Sequence, residues 1–214
     1  MTLDHLVREP AGEPEGALIL NHGRGTSEHD LFPLLDELDP QRRLVGLAPG
    51  GPLTGIPPGG RHWYLVPRVG YPDPDTFASS LAALTDLCER FLAEREIGWE
   101  RTVIGGFSMG TVMSYAVALG PGRPSPAAIV ALSGFVPTVE GWQPDLDGRE
   151  GLPVLIHHGR NDPVIDVSFG RSAAELLRAG GLDVDYLETD AGHWLPPEAV
   201  ERAATLVSRT LELF

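Results

Sequence analysis

Short apolar runs alternate with amphipathic helical patterns along the chain, and this alternation restricts the fold more than any other feature of the sequence. Gly, Pro, Asn or Asp residues bound each run, as is typical of strands that end in turns. The predicted strands are residues 17–20, 44–47, 102–104, 128–132, 153–157 and 184–187. The predicted helices, in which apolar residues recur at helical spacing, are residues 32–38, 76–94, 110–119, 168–179 and 197–213. The alternation favours an α/β fold with a mostly parallel central sheet and helices on both faces.

The chain is expected to form one domain over residues 1–214, because it is long enough for one well-buried core and contains no long polar spacer. The longest irregular stretch, residues 49–75, is rich in Pro and Gly and predicts a long loop. No insertion is large enough for a separate lid, so we expect no cap domain.

The formal net charge of −14 argues against nucleic acid as a partner, because such a chain repels phosphate backbones. All 16 basic residues are arginines, which excludes mechanisms that need a lysine amine. No apolar run approaches the roughly 18 residues of a membrane span, and the N-terminal residues do not resemble a signal peptide. We therefore expect a cytoplasmic protein with no membrane span. Its single cysteine, Cys88, favours a buried thiol.

The segment from Gly106 to Gly110, Gly-Phe-Ser-Met-Gly, matches the pattern G-x-S-x-G. A β-branched run precedes it and a helix-forming run follows it, which is the strand–turn–helix setting in which this pattern presents a reactive serine. Small neighbours let a strained turn close beneath the serine. We therefore predict Ser108 as a nucleophile; the alternative is a glycine-rich turn with an inert serine.

A serine hydroxyl is a weak nucleophile at neutral pH and needs a histidine as base and a carboxylate to orient that histidine. The carboxylate should follow a strand downstream of the serine, and Asp162 does so in a segment that predicts a tight loop. Asp166 is the alternative, but its position before the helix near Ser168 also suits a helix cap. Either side chain could instead be solvated surface.

The histidine should lie in the loop after the last strand, where Gly192 and His193 stand. We predict His193 as the general base, since three residues in the order Ser, Asp, His after three predicted strands are unusual by chance. The remaining histidines do not follow both partners; they are His5, His22, His29, His62, His157 and His158.

Hydrolysis also needs hydrogen-bond donors for the oxyanion that develops on the substrate, and backbone N–H groups supply them in folds of this kind. Met109, directly after the serine, provides the first by position. Arg24, between two glycines after the first predicted strand, is predicted to provide the second through its backbone N–H. The alternative is an ordinary turn, in which case Gly23 or Gly25 is the donor.

Aromatic side chains in the long loop are candidates for substrate contact. Trp63, Tyr64 and Tyr71 are amphipathic, and such side chains commonly line ligand pockets. We predict Trp63 and Tyr64 as substrate-binding residues, with core packing as the competing interpretation.

Four segments together resemble the phospholipase/carboxylesterase family of α/β-hydrolases: HGRG from His22, GGFSMG from Gly105, GRNDPVI from Gly159 and AGHW from Ala191. The similarity runs from about residue 18 to residue 193, and residues 61–64 resemble the aromatic loop that this family places beside its acyl pocket. The resemblance implies an α/β-hydrolase fold without a cap. One departure is Met109, where the family commonly has glutamine.

The residues and the resemblance together predict a serine carboxylesterase that hydrolyses short to medium acyl esters through an acyl-enzyme intermediate, with no cofactor or metal. The expected partner is a small-molecule ester, and the aromatic loop is compatible with a homodimer. Two alternatives stay open. One is lysophospholipase or acyl thioesterase activity, which would use the same residues. The other is a hydrolase-fold protein that binds a small molecule without turnover.

Overall fold

The computed structural model describes residues 2–55 and 60–212. One seven-stranded sheet, in the order β1-β3-β2-β4-β5-β6-β7, forms its centre. Strand β1 is antiparallel to β3, and all other neighbouring strands are parallel. The strands are β1 His5–Arg8, β2 Gly16–Asn21, β3 Leu44–Pro49, β4 Thr102–Phe107, β5 Ala128–Leu132, β6 Pro153–Gly159 and β7 Asp183–Thr189.

Strand β1 was not predicted from the sequence, whereas the six predicted strands correspond to β2–β7. Its four residues, His-Leu-Val-Arg, are too few to show a strand pattern. They are extended because they pair with β3 more than 30 residues along the chain, from His5 opposite Pro49 to Arg8 opposite Gly46. Pairing at this distance has no local signal in the sequence.

The described residues form five α-helices: α1 Leu34–Leu38, α2 Pro74–Ala93, α3 Met109–Ala118 and α4 Val167–Ala179, which lie between strands, and α5 Pro197–Leu211, which follows β7. Helix α1 begins two residues later than predicted because Pro33 occupies its N-cap. The predicted end of the last helix, at residue 213, lies outside the described residues. None of the helices that the structure describes combines the length and the apolar character needed to cross a bilayer.

Alternate residues of the buried strands face opposite sides of the sheet, and each side is covered by its own helices. In β2, Ile19 joins the apolar cluster that includes α2, α3 and α4, whereas Leu18 and Leu20 join the cluster that includes α1 and α5. The prediction of a mostly parallel sheet with helices on both faces is confirmed. The thiol of Cys88 is buried in the first cluster, as predicted, and burial raises its pKa to about 12.

A buried ion pair ties the edge strand to the layer beneath it. The Arg8 guanidinium donates to Asp39 Oδ2 at 2.6 Å and to the carbonyl oxygen of Leu44 at 2.7 Å. Both charged side chains are almost fully buried. Asp39 Oδ2 also accepts the Leu44 N–H at 2.9 Å, so the pair holds β1, the end of α1 and the start of β3 together.

We predict that Asp39→Ala destabilises the fold by about 3 kcal/mol, because it removes the buried carboxylate that pairs with the buried Arg8 guanidinium. Asp36→Ala is the matched control. That carboxylate also pairs with arginines but is 46% exposed, so its loss should cost less than about 1 kcal/mol. Chemical denaturation of the two variants and the parent chain measures both values, and equal costs would contradict the assignment.

Candidate active site

Ser108 occupies a sharp turn between β4 and α3, and its backbone is strained. It has a φ of 55° and a ψ of −118°, a conformation that side-chain-bearing residues rarely adopt. This backbone directs the hydroxyl group away from the sheet edge into a cavity that Ser108 helps to line. The side chain is nearly buried, with the residue 7% exposed.

The glycines on either side of Ser108 are required by the strand that packs against the turn. A Cβ atom on Gly110 would lie 1.8 Å from the carbonyl oxygen of Asn21, and one on Gly106 would lie 2.6 Å from the same oxygen. Both distances are far below van der Waals contact. The pattern G-x-S-x-G is therefore a steric consequence of β2 passing close beneath the turn.

His193 bridges Ser108 and Asp162. Its Nε2 lies 2.9 Å from Ser108 Oγ, and its Nδ1 lies 2.6 Å from Asp162 Oδ2. The three residues follow β4, β6 and β7, so the carboxyl edge of the parallel sheet collects them from distant parts of the chain. The Phe107 ring packs against the imidazole with centroids 4.8 Å apart. The serine hydroxyl, the imidazole and the carboxylate thus form one continuous hydrogen-bonded chain.

The loop after β6 fixes Asp162 in place. The Asp162 side chain has no exposed surface, and its Oδ1 accepts the backbone N–H groups of Val164 and Ile165 at 2.8 and 2.9 Å. Asp166, the alternative carboxylate, is instead the N-cap of α4, where it accepts the Ser168 N–H at 2.9 Å. Hydrogen bonding to the side chain and the backbone of Ser168 lowers the Asp166 pKa. The structure therefore brings Asp162, and not Asp166, to the histidine.

His158 is a neighbour of this site that sequence reasoning set aside. Its buried Nε2 lies 2.9 Å from the carbonyl oxygen of Ile165 and 3.7 Å from Asp162 Oδ2. Burial lowers its pKa, so the imidazole is neutral at pH 7 and donates Nε2–H to the Ile165 carbonyl. The His158 imidazole thus supports the loop that carries Asp162. No sequence motif marked His158, because its contact with the Ile165 carbonyl forms only when the loop that carries Asp162 has folded.

A cavity of about 320 Å³ opens in front of Ser108. Its walls are largely apolar, and polar side chains lie among them. The apolar wall residues include Val66, Val69, Phe135, Val164 and Ile165, and the polar and aromatic ones include Arg24, Asp30, Tyr64, Arg68 and Tyr71.

The two predicted oxyanion donors lie at this cavity. Met109 is the first residue of α3, and Arg24 lies in the loop after β2; both line the cavity wall beside Ser108. Within the described part of the chain, neither backbone N–H has a hydrogen-bond acceptor. The positive end of the α3 dipole adds to the field at the Met109 N–H. Both groups are free to donate to an oxygen atom in the cavity.

The prediction that Trp63 contacts the substrate is wrong. Its side chain is fully buried and lies behind the cavity wall, where the indole N–H donates to the carbonyl oxygen of His22 at 2.9 Å. Its backbone N–H donates to the Met109 thioether sulfur at 3.2 Å. The indole is a large apolar ring with one N–H donor, and it is more stable in the core than on a solvent-exposed cavity wall once that donor has an acceptor. Trp63 thus supports the Arg24 loop and Met109 from behind.

Tyr64, the other predicted substrate-binding residue, lines the cavity and is 3% exposed. Its ring packs against Phe77 with centroids 5.8 Å apart. Burial raises its pKa, so the phenol is neutral. Tyr71, from the same loop, also lines the cavity and is exposed.

The strand order, the serine turn after β4 and the helices on both faces define an α/β-hydrolase. The model of the phospholipase/carboxylesterase family matches residues 3–211. The chain belongs to this family, as the sequence motifs indicated, and is therefore a hydrolase of the esterase and thioesterase type.

Similar proteins of known sequence agree with this assignment, and a solved structure shares the fold. Acyl-protein thioesterase 1 from Debaryomyces hansenii is 30% identical over 195 residues, which cover 82% of each chain. Acyl-protein thioesterase 1 homolog 1 from Dictyostelium discoideum is 24% identical over 91% of this chain and 90% of its own. The crystal structure of a Bacillus cereus carboxylesterase has a TM-score of 0.82 at 21% identity, with 97% of this chain and 94% of that chain covered.

We predict that Asp162→Asn lowers ester hydrolysis about 10³- to 10⁴-fold, because an amide cannot hold the imidazole in the productive tautomer. Asp166→Asn should leave activity within about twofold of the parent and instead lower stability by less than about 1 kcal/mol through its weaker cap. Steady-state kinetics and thermal unfolding of both variants separate the two roles. The reverse order of activity loss would make Asp166 the acid.

Proposed function

We propose that this protein is a serine carboxylesterase that hydrolyses short to medium acyl esters through an acyl-enzyme intermediate on Ser108. The observation that carries the proposal is the hydrogen-bonded chain from Ser108 Oγ through His193 to the buried Asp162, at the wall of an apolar cavity. A non-catalytic binding protein would have no need for a strained serine backbone held against a base.

In the acylation step, His193 Nε2 accepts the Ser108 hydroxyl proton while Oγ attacks the ester carbonyl carbon. The carbonyl oxygen becomes an oxyanion, and the N–H groups of Arg24 and Met109 donate to it. Asp162 stabilises the imidazolium that forms. Collapse of the tetrahedral intermediate breaks the bond to the alcohol, which leaves with the proton from His193.

Deacylation repeats the sequence with water in place of the serine. His193 accepts a proton from the water molecule, whose oxygen attacks the acyl carbon, and the same two N–H groups bind the second oxyanion. Collapse releases the carboxylic acid and returns the proton to Ser108 Oγ. The proton transfers between Ser108 and His193 use groups that already lie within hydrogen-bonding distance of each other, and Asp162 lies within the same distance of the imidazole.

Acyl thioesterase activity is the second candidate. The relatives from Debaryomyces hansenii and Dictyostelium discoideum are named acyl-protein thioesterases, and a thiolate leaves by the same route as an alcohol. A panel of matched oxygen esters and thioesters of equal acyl length measures the preference. A kcat/KM ratio that favours thioesters at every length would replace the carboxylesterase proposal with this one.

Ser108→Ala should lower ester turnover by roughly 10³-fold or more with no loss of fold, because the hydroxyl is the attacking group. His193→Ala should be about as damaging, since the members of a triad act as a unit. Purified variants are compared by ester kinetics and by circular dichroism. If a folded Ser108→Ala variant turns over ester at a rate near that of the parent, Ser108 is not the nucleophile.

Met109→Gln tests whether Met109 acts through its backbone. The thioether accepts the Trp63 N–H at 3.2 Å, and the glutamine amide oxygen can accept the same donor. We expect a loss in kcat/KM of less than tenfold, under about 1.4 kcal/mol. A loss close to that of Ser108→Ala would mean that the sulfur atom itself is needed.

The cavity size predicts a preference for short to medium acyl chains. A volume of about 320 Å³ lies at the lower end of the range for ligand pockets. Para-nitrophenyl esters of graded chain length, assayed with and without an emulsified interface, measure the optimum. A long-chain optimum with a rate jump at the interface would contradict the prediction and indicate a lipase.

A further inference from the structure

Two arginines at the cavity have no anionic partner in the part of the chain that the structure describes. Among the described residues, the guanidinium groups of Arg24 and Arg68 form neither an ion pair nor a hydrogen bond, and both residues, which are exposed, line the cavity that contains Ser108. Most other arginines of the chain pair with a carboxylate or with backbone carbonyl groups. In a protein with a net charge of −14, unpaired cations at one cavity are a marked departure from the rest of the surface.

The charge balance of the cavity differs in sign from that of the protein. Over residues 2–55 and 60–212, the charged wall residues are Arg24, Arg68 and one carboxylate, Asp30, which lies within ion-pair distance of neither guanidinium. The cavity wall is therefore net cationic inside an acidic protein. The wall would attract an anion in this cavity, whereas the acidic remainder of the surface would repel one.

The exposed Arg68 side chain stacks on the ring of Tyr71. Its guanidinium carbon lies 3.6 Å from the centroid of the Tyr71 ring, and its carbonyl oxygen accepts the Tyr71 N–H at 3.0 Å. Stacking on an aromatic face covers one face of the guanidinium and leaves the N–H groups at its edge free to donate. An arginine that is already ordered loses less conformational entropy when it binds a carboxylate or phosphate.

Arg24 brings the second cation close to the reacting atoms. The residue proposed to donate its backbone N–H to the oxyanion carries this guanidinium on its own side chain, so the charge lies within one side-chain length of the ester carbonyl. An anionic group bound by the Arg24 guanidinium would therefore lie within that distance of the ester, on either its acyl or its alcohol side.

We propose that the cavity selects esters that carry a second, anionic group, a carboxylate or a phosphate, bound by Arg68 with Arg24. This inference rests on the hydrolytic function proposed above. The anionic group belongs either to the acyl part or to the leaving alcohol. The chemistry of recognition is the same in both cases, since planar guanidinium groups form paired hydrogen bonds with oxyanions.

Two matched substrate pairs locate the anion. Para-nitrophenyl hydrogen adipate against para-nitrophenyl hexanoate places a carboxylate at the end of an acyl chain of equal length. The second pair compares para-nitrophenyl butyrate with the same ester carrying a carboxyl group on its phenyl ring, which places the carboxylate on the leaving group. The measured quantity is the ratio of kcat/KM for the charged substrate to kcat/KM for the neutral one, after subtraction of the reaction without enzyme.

Arg68→Gln should lower this ratio about five- to tenfold in at least one pair, because it removes a charge-assisted hydrogen bond to the anion. Arg209→Gln is the matched control: it gives the same net charge from an exposed position in α5 outside the cavity, and its ratios should stay within about twofold of the parent. Arg68→Lys, which keeps the charge, should retain at least half of the selectivity.

A drop confined to the adipate pair places the anion on the acyl group, and a drop confined to the butyrate pair places it on the leaving group; either supports the proposal. If neutral esters are hydrolysed but Arg68→Gln and Arg209→Gln give the same ratios in both pairs, the inference is overturned and the esterase proposal stands. If the parent chain hydrolyses none of the four substrates, the esterase proposal itself fails.

Discussion

The left-handed backbone of Ser108 is the constraint on which the rest of the site depends. A conformation of this kind costs about 1–3 kcal/mol and persists only when the surrounding structure enforces it. Here the enforcement comes from both sides of the turn, since β4 and α3 are almost entirely buried and β2 passes directly beneath. The same geometry places the serine hydroxyl at the cavity and the first N–H of α3 beside it. Packing around the sheet thus positions both the nucleophile and the first predicted oxyanion donor.

Polar groups around the site divide into those that are satisfied within the protein and those that are left for a substrate. The Asp162 carboxylate accepts from two backbone N–H groups and His193, which keeps a buried charge solvated by protein dipoles. The N–H groups of Arg24 and Met109 have no such partner among the described residues. Donors kept free in advance need no rearrangement when charge develops in the transition state.

The sequence was informative wherever a local rule sets the structure. Alternating apolar runs predicted β2–β7, and the glycines around Ser108 predicted the strained turn, because both follow from constraints between near neighbours. The sequence did not predict strand β1 or favour the burial of Trp63, since each is set by contacts with segments more than 30 residues away. His158 escaped notice for a different reason: its acceptor, the Ile165 carbonyl, is only seven residues away, but the turn that carries Asp162 has to form before the two groups meet.

Covalent labelling with a fluorophosphonate tests the central claim most directly, because the reagent reacts only with a serine that a neighbouring base activates. Intact-protein mass spectrometry of the folded chain should show one adduct, peptide mapping should place it on Ser108, and Ser108→Ala should abolish it. Folded protein that stays unlabelled, or an adduct on another residue, would contradict the account.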